Sequence, residues 1–558
     1  MKWWGWGAEE VSFTHEGKPE LAPFIERKLG LDVRRTATKP IAFAELEVPR
    51  SALPQDLRGQ LADAVGSAHV SSDDRDRVVH ARGKSLTDLV RQRRGDLGRT
   101  PDVVVRPGSE DEVAAVVGAA VEADAVVIPF GGGSSISGSL QADDDETRPV
   151  ISLDMGRMSR VLEVDAISQL ARVQAGVFGP DLERQLGARG WTCGHFPDSF
   201  TYSTLGGWIA TRSSGMQSDR YGDIAEITRG LRMVTPSGVL SVRPVPSTST
   251  GPSVREMVLG SEGRLGVITE ATIHVRRLPP ERRILGYLFP SWEAALAAMR
   301  DIAASEASPS VTRVSDPPET AFSFAMRETA TPVDRLKSRA LQAFLRRRGW
   351  NLDTLCLSLI GYEGVARHVA RQRRLTERIV KRHGGLGIGA SPGKLYDKKK
   401  FDTPYIRDFL LDRGAPADVS ETAAPWSRLH TVHRNVMTAG HGAFRRLGVP
   451  GYLMCHLSHS YHAGACLYFT FALNPPGDHD ALEDYGVVKR AIQQAFVDSG
   501  ATLSHHHAVG TEHAQWLEED ISAPGVEMLR ALFDGTDPGA NLNPGKIVPT
   551  HALARVDG

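Results

Sequence analysis

The apolar run Ala125–Ile128, AVVI, passes directly into Pro129–Ser135, PFGGGSS. A buried strand that enters three consecutive glycines narrows the folds open to a chain. Glycine reaches left-handed backbone angles and carries no side chain. The turn can therefore be tight, and a ligand can lie against bare main-chain N–H groups. Such a nest of N–H groups suits a phosphate or pyrophosphate. The hydroxyls of Ser134 and Ser135 add donors. Pro129, Phe130, Gly131, Gly132, Gly133, Ser134 and Ser135 form the first candidate binding segment.

Three later segments share this logic. Asp198–Thr204, DSFTYST, offers Asp198, Ser199, Ser203 and Thr204. LGGWIATRSSG follows it and offers Thr211, Arg212, Ser213 and Ser214. Glu262–Ile268, EGRLGVI, opens at Gly263 and Gly266 onto an apolar strand and adds Glu262, Leu265, Val267 and Ile268. Any one of them alone reads as a loop that needs glycine for its geometry. Four in one block, each beside an apolar run, read as the walls of one site for a large cofactor.

The 558 residues imply several domains. A formal net charge of -1 and the absence of a single-sign tail argue against nucleic acid as a partner. Four cysteines without CxxC spacing read as reduced thiols in a cytoplasmic setting. No apolar run is long enough to span a bilayer, and MKWWGWGAEE makes a poor signal peptide. The terminal ARVDG carries no peroxisomal tripeptide.

The first 96 residues are proline-punctuated and read as a segment wrapped around a larger core. Strand, helix and glycine loop then alternate through an α+β block over 97–280. EDEVAAVVGAAVEAD has helical periodicity, and MVTPSGVLSVRP reads as a hairpin. Longer strand–helix units over 281–500 predict an α/β layer with helices on one face of a sheet. CHLSHSYHAGACLYFTFAL is the strand of the last unit. A His-rich segment and tail, 501–558, return toward the first block.

PFGGGSS, CGHFPDSFTYSTLGGWIATRSSGM, YGDI and GSEGRLGVITEA together resemble the FAD-binding domain of the vanillyl-alcohol-oxidase/para-cresol-methylhydroxylase superfamily. Within it the chain is most similar to the alkyldihydroxyacetonephosphate synthases. KWWGWG at Lys2–Gly7, TPYIRD, ETAAPW, SYHAGACLYFTFAL and LSHHHAVG carry that resemblance from Lys2 to Ile547. It implies a two-subdomain FAD-binding domain with a cap domain for substrate. It also implies a homodimer and lipid substrates. The reaction so implied exchanges the acyl chain of acyl-dihydroxyacetone phosphate for a fatty alcohol through a flavin N5 adduct, without net oxidation.

The same resemblance assigns roles. Tyr461 matches the tyrosine that moves a proton. A phenol is protonated near neutrality, so it becomes a base only where cations or imidazoles stabilise the phenolate. His505, His506 and His507 are the candidates for this. In an extended segment His505 and His507 would share one face and His506 the other. Arg313 matches an active-site arginine, Arg407 one that holds the substrate phosphate, and His195 a histidine beside the flavin. With no HExxH or CxxC companion, no metal is expected.

Two departures stand out. His462 follows the key tyrosine where the family commonly has aspartate, and TEHAQW follows HHHAVG where a basic residue is commoner. Ser134 and Ser135 stand where relatives can carry a flavin-linking histidine, so FAD is expected to be non-covalent. RLKSRALQAFLRRR, Arg335–Arg348, sets Leu336, Ala340, Phe344 and Leu345 along a helical stripe. The stripe could lie on anionic lipid as a peripheral contact or pack on the core. Two other functions stay open: an FAD-dependent oxidoreductase acting on a 2-hydroxy acid or alcohol, and a flavin-free lipid-binding protein.

Overall fold

The computed structural model describes residues 1–35, 37–328 and 332–549. The side chain of Arg335, at the head of the stripe, and the terminal ARVDG lie outside what is described. Val103–Val105, Val150–Asp154 and Val126–Phe130 form a parallel core of three strands, and Val70–Ser71 pairs antiparallel at the edge. Helices cover parallel sheets, which explains the unbroken apolar runs VVV and AVVI. Helix Glu110–Glu122 supplies such a cover through Val113, Val116, Val117 and Ala120. The Ser109 side chain caps it by accepting from the Glu112 N–H, and acidic residues fill its first turn.

A second sheet, of five antiparallel strands, runs in the order Val161–Asp165, Leu170–Gln174, Val267–His274, Thr228–Thr235, Gly238–Val242. Glu110 ties the two sheets together. Its carboxylate pairs with Arg232 at 2.6 Å and accepts from Thr269 Oγ1 at 2.7 Å. The tail closes the first sheet from the other end of the chain. Val127 N–H donates to Asn541 at 2.7 Å, and Asn543 N–H to Val127 at 3.0 Å.

The cap is a seven-stranded sheet, antiparallel at every pairing. Helices Trp292–Ala303, Ala366–Arg382, Trp426–Leu447 and Ala481–Asp498 pack on one face. The period-two pattern of a strand sorts its residues. Tyr287, Phe289, Ile360 and Tyr362 join the helical core, while Leu288, Leu357 and Leu359 face the opposite way.

The apolar segment read as one strand is a hairpin, Gly451–Ser460 and Gly464–Leu473, with Tyr461–Ala463 at its tip. Tyr461 N–H closes the turn onto Gly464 at 2.8 Å. Gly464 is required there because a β-carbon would overlap the Ala424 carbonyl. The N-terminal segment clasps the cap: Trp6 N–H donates to Asp408 Oδ2 at 2.8 Å, and Lys2 pairs with Asp408 at 3.7 Å. Asp408 neighbours Arg407 on helix Pro404–Leu411.

Candidate active site

One cavity of about 1760 Å³ lies between the glycine loops and the unpacked face of the cap sheet. Pockets for drug-sized ligands hold roughly 300–1,000 Å³, so this one has room for a dinucleotide and a second ligand. All of Pro129–Ser135 lines it, as do Asp198, Ser199, Ser203, Thr204, Thr211, Ser213, Ser214, Glu262, Gly263, Gly266, Val267 and Ile268. The residues fit a cofactor that needs bare backbone. A β-carbon at Gly132 would overlap the Tyr202 carbonyl oxygen, one at Gly131 would meet Thr204 Oγ1, and Gly133 has φ +67°.

Two residues of these segments point elsewhere. The Arg212 side chain turns to the surface and pairs with Glu256 at 3.1 Å. Leu265 is buried in the core of the second sheet. Glu262 lines the cavity but holds protein. Its carboxylate accepts from the Val509 and Gly510 N–H groups at 2.9 and 3.0 Å, which draws the His-rich segment onto the first domain.

The His triplet is not extended. The N–H groups of His505, His506 and His507 all converge on the Glu421 carboxylate, at 2.8, 3.1 and 3.0 Å. The backbone curls around a buried anion, so alternation of faces does not apply. His506 and His507 line the cavity, and His505 sits behind them. Burial alone would raise the Glu421 carboxyl. The adjoining imidazoles of His506, His507 and His505 and the His506 N–H outweigh it and hold the carboxyl well below its ordinary value. Burial pushes the His506 and His507 imidazoles down, which keeps them neutral near pH 7.

Tyr461 also stands one layer behind the wall. Its hydroxyl donates to Asp223 Oδ2 at 2.7 Å and lies 2.6 Å from His505 Nε2. Asp223 in turn accepts from Ser214 Oγ, on the wall. Burial, and then the Asp223 charge, push the phenol far above its ordinary value. Tyr461 therefore rests as a neutral phenol, the state a phenol ordinarily has near neutrality, because its hydroxyl donates to the Asp223 carboxylate. His462 is exposed at the hairpin tip, and its carbonyl accepts from Trp426 Nε1 at 3.2 Å.

Arg313 and Arg407 both line the cavity. Arg313 is engaged with Glu319 at 2.7 Å. Burial would raise the Glu319 carboxyl, but His456 and Arg313 hold it down to about 2. Arg407 differs: its Nε is buried without a hydrogen-bond partner in the protein. His195 lies behind the wall, 3.2 Å from Ser213 Oγ, and burial lowers its imidazole to about 3. Cys193 is buried in the core of the second sheet, away from the wall.

Asp223, Glu421 and His459 were missed as site residues. Their signals were present: YGDI and ETAAPW are among the motifs, and His459 precedes Tyr461 by two. His459 Nε2 bonds the Gly215 carbonyl at 2.9 Å. His459, Cys466, His505 and His506 bring side-chain donor atoms within 4.8 Å of one another, and the three imidazoles are already hydrogen-bonded within the protein.

Residues 101–242 match the family model for the FAD binding domain, and 278–547 that for the C-terminal domain of FAD linked oxidases. With the cavity between those two regions, these matches define a two-domain FAD-binding flavoprotein. Alkyldihydroxyacetonephosphate synthase of Dictyostelium discoideum is 36% identical over 99% of this chain and 94% of that protein. The synthase of Trypanosoma brucei brucei is 33% identical over 99% of this chain and 92% of that protein. A solved alkyldihydroxyacetonephosphate synthase superposes with a TM-score of 0.84 at 34% identity, covering 98% of both chains. The chain belongs to the alkyldihydroxyacetonephosphate synthase family.

Proposed function

We propose that this protein is an FAD-dependent alkyldihydroxyacetonephosphate synthase. It exchanges the acyl chain of acyl-dihydroxyacetone phosphate for a fatty alcohol, with no net oxidation. The observation that carries this is the continuity of the cavity. It runs from the glycine loops to an apolar stretch under the cap sheet, where Leu288, Leu357, Leu359 and Leu341 face it. An alkyl chain needs such a stretch, and a small 2-hydroxy acid does not. Non-covalent FAD, held by the four loop segments, supplies a nucleophilic nitrogen for the substrate carbon.

The protein's own groups do the rest. Arg407, with its unpaired buried Nε, takes the substrate phosphate, since a guanidinium fork matches phosphate oxygens. Arg313, oriented by Glu319, faces the reacting end. Tyr461 and the His505–His507 cluster handle the proton taken from carbon. His195 steadies the cofactor wall through Ser213. The cap sheet excludes water, which protects the exchange from hydrolysis.

An assay without any electron acceptor, using labelled fatty alcohol and acyl-dihydroxyacetone phosphate, tests this by ether product. Bleaching of the flavin by a 2-hydroxy acid under anaerobic conditions, restored by an acceptor and without ether product, would make the protein an oxidoreductase instead. Acid precipitation that releases yellow FAD into the supernatant tests the non-covalent link. Light scattering tests the homodimer. Peripheral contact with a membrane through helix Pro332–Arg347 belongs to the same reading.

A further inference from the structure

The hydrogen bonds behind the His triplet have a direction. A carboxylate only accepts, so at the 2.7 Å contact Tyr461 gives its single hydrogen to Asp223. His505 Nε2, 2.6 Å from the same oxygen, must then be a donor. With His505 taken as the neutral imidazole, which carries one N–H, its Nδ1 is the acceptor. It lies 2.9 Å from His506 Nδ1, so His506 donates there. Glu421 Oε2, 3.5 Å from that same His506 nitrogen, agrees with a hydrogen on it. The lone pair of His506 is left on Nε2, and His506 lines the cavity.

We propose that Asp223 sets this order and is the sink of a proton relay that begins at His506 Nε2. In this relay His506 is the group facing the substrate, Tyr461 is a neutral link, and Asp223 is a positioning residue that acts through both. One C–H proton goes to His506 Nε2, and its electron pair stays with the substrate. The His506 Nδ1 hydrogen passes to His505 Nδ1, the His505 Nε2 hydrogen to Tyr461 Oη, and the Tyr461 hydrogen to Asp223 Oδ2. Every group ends neutral, and the run is reset when the protons return.

The surroundings suit an anion at Asp223. Two hydroxyls, Ser214 Oγ and Tyr461 Oη, donate to its carboxylate, and such hydrogen bonds favour the ionised form. Asp219, His195 and Cys466 face it from three other segments, and Glu226 Oε2 accepts from the Asp223 N–H at 2.9 Å. Position 462, after the tyrosine, is the exposed His462, and the carboxylate that accepts from the phenol is that of Asp223.

The inference rests on the proton-abstracting reading above, and its main test does not depend on turnover. Nitrogen NMR of histidine-labelled, FAD-loaded protein reads each imidazole tautomer, with His506→Gln to assign the signals. His506 is expected with hydrogen on Nδ1 and His505 with hydrogen on Nε2. Asp223→Asn should mix or invert both tautomers and slow solvent exchange of the substrate C–H proton by about 10²-fold or more, with FAD content unchanged. Tyr461→Phe cuts the same run and should give the same tautomer change, which decides the matter where Asp223→Asn does not fold. His506 bearing its hydrogen on Nε2 in the unaltered protein, or tautomers untouched by both substitutions, overturns the proposal. Expected tautomers in a protein that makes no ether would instead overturn the function.

Discussion

Single residues at this site are chosen for what surrounds them. Gly132 is the sharpest case. The obstacle to a side chain there is the Tyr202 main chain, which has no rotamer to give way. Gly132→Val is therefore expected to push the two loops apart and yield colourless protein without FAD absorbance. A yellow Gly132→Val protein would remove the loop from the cofactor site. Glu421 shows the same dependence from the opposite side. A fully buried carboxylate is tolerated because three consecutive N–H groups point at it. Those bonds also aim His506 and His507 at the cavity.

At the level of elements, helix Pro332–Arg347 divides its residues between two faces. Ser338, Leu341 and Leu345 line the cavity. Leu336 and Phe344 are 69% and 47% exposed, and Ala340, Arg339, Arg346 and Arg347 are exposed with them. The stripe thus divides: Leu345 packs inward, and the rest looks out among cations. Such a face suits an anionic lipid surface, and the helix roofs the cavity that a lipid must enter. Leu336→Glu with Phe344→Glu should weaken sedimentation with anionic vesicles by roughly tenfold, since that follows from losing only about 1.5 kcal/mol of apolar insertion. Unchanged sedimentation would assign the stripe no membrane role. Among the described residues no helix is long and apolar enough to cross a membrane.

For the molecule as a whole, distant parts of the chain meet at buried charges. Glu512, on the returning C-terminal segment, faces Lys489 of a cap helix, Asp418 of a cap strand and Asp88 of the N-terminal segment. Burial pushes its carboxyl up to about 7, against the ordinary 4.5. A folded-state value above the unfolded one means that the fold prefers the protonated acid. Its contribution is fully present below the unfolded value and is lost as pH rises through about 7. Glu512→Gln removes that loss, worth up to about 3 kcal/mol above pH 7. Its melting temperature should match the unaltered protein near pH 4, below the unfolded value, and exceed it near pH 8. Equal melting temperatures at both pH values would show that the carboxyl ionises without strain.

Much of the fold was legible because its signals are local. A strand running into glycines, an acid-capped apolar helix and the order of four loop motifs need only neighbouring residues to be read. Those signals, with the motifs from Lys2 to Ile547, led to the FAD-binding fold and the family. The site was legible as a set of residues but not as a geometry. The sequence by itself determined that a glycine cradle, Tyr461, a His triplet and two arginines belong to one chain. Tertiary structure decided that the triplet curls around Glu421, that Arg407 Nε is buried without a hydrogen-bond partner in the protein and that Tyr461 faces Asp223. The physical reason is that proton direction and charge depend on which buried group lies within 3 Å, and these partners stand 238 residues apart in the Tyr461–Asp223 pair and 84 in the His505–Glu421 pair.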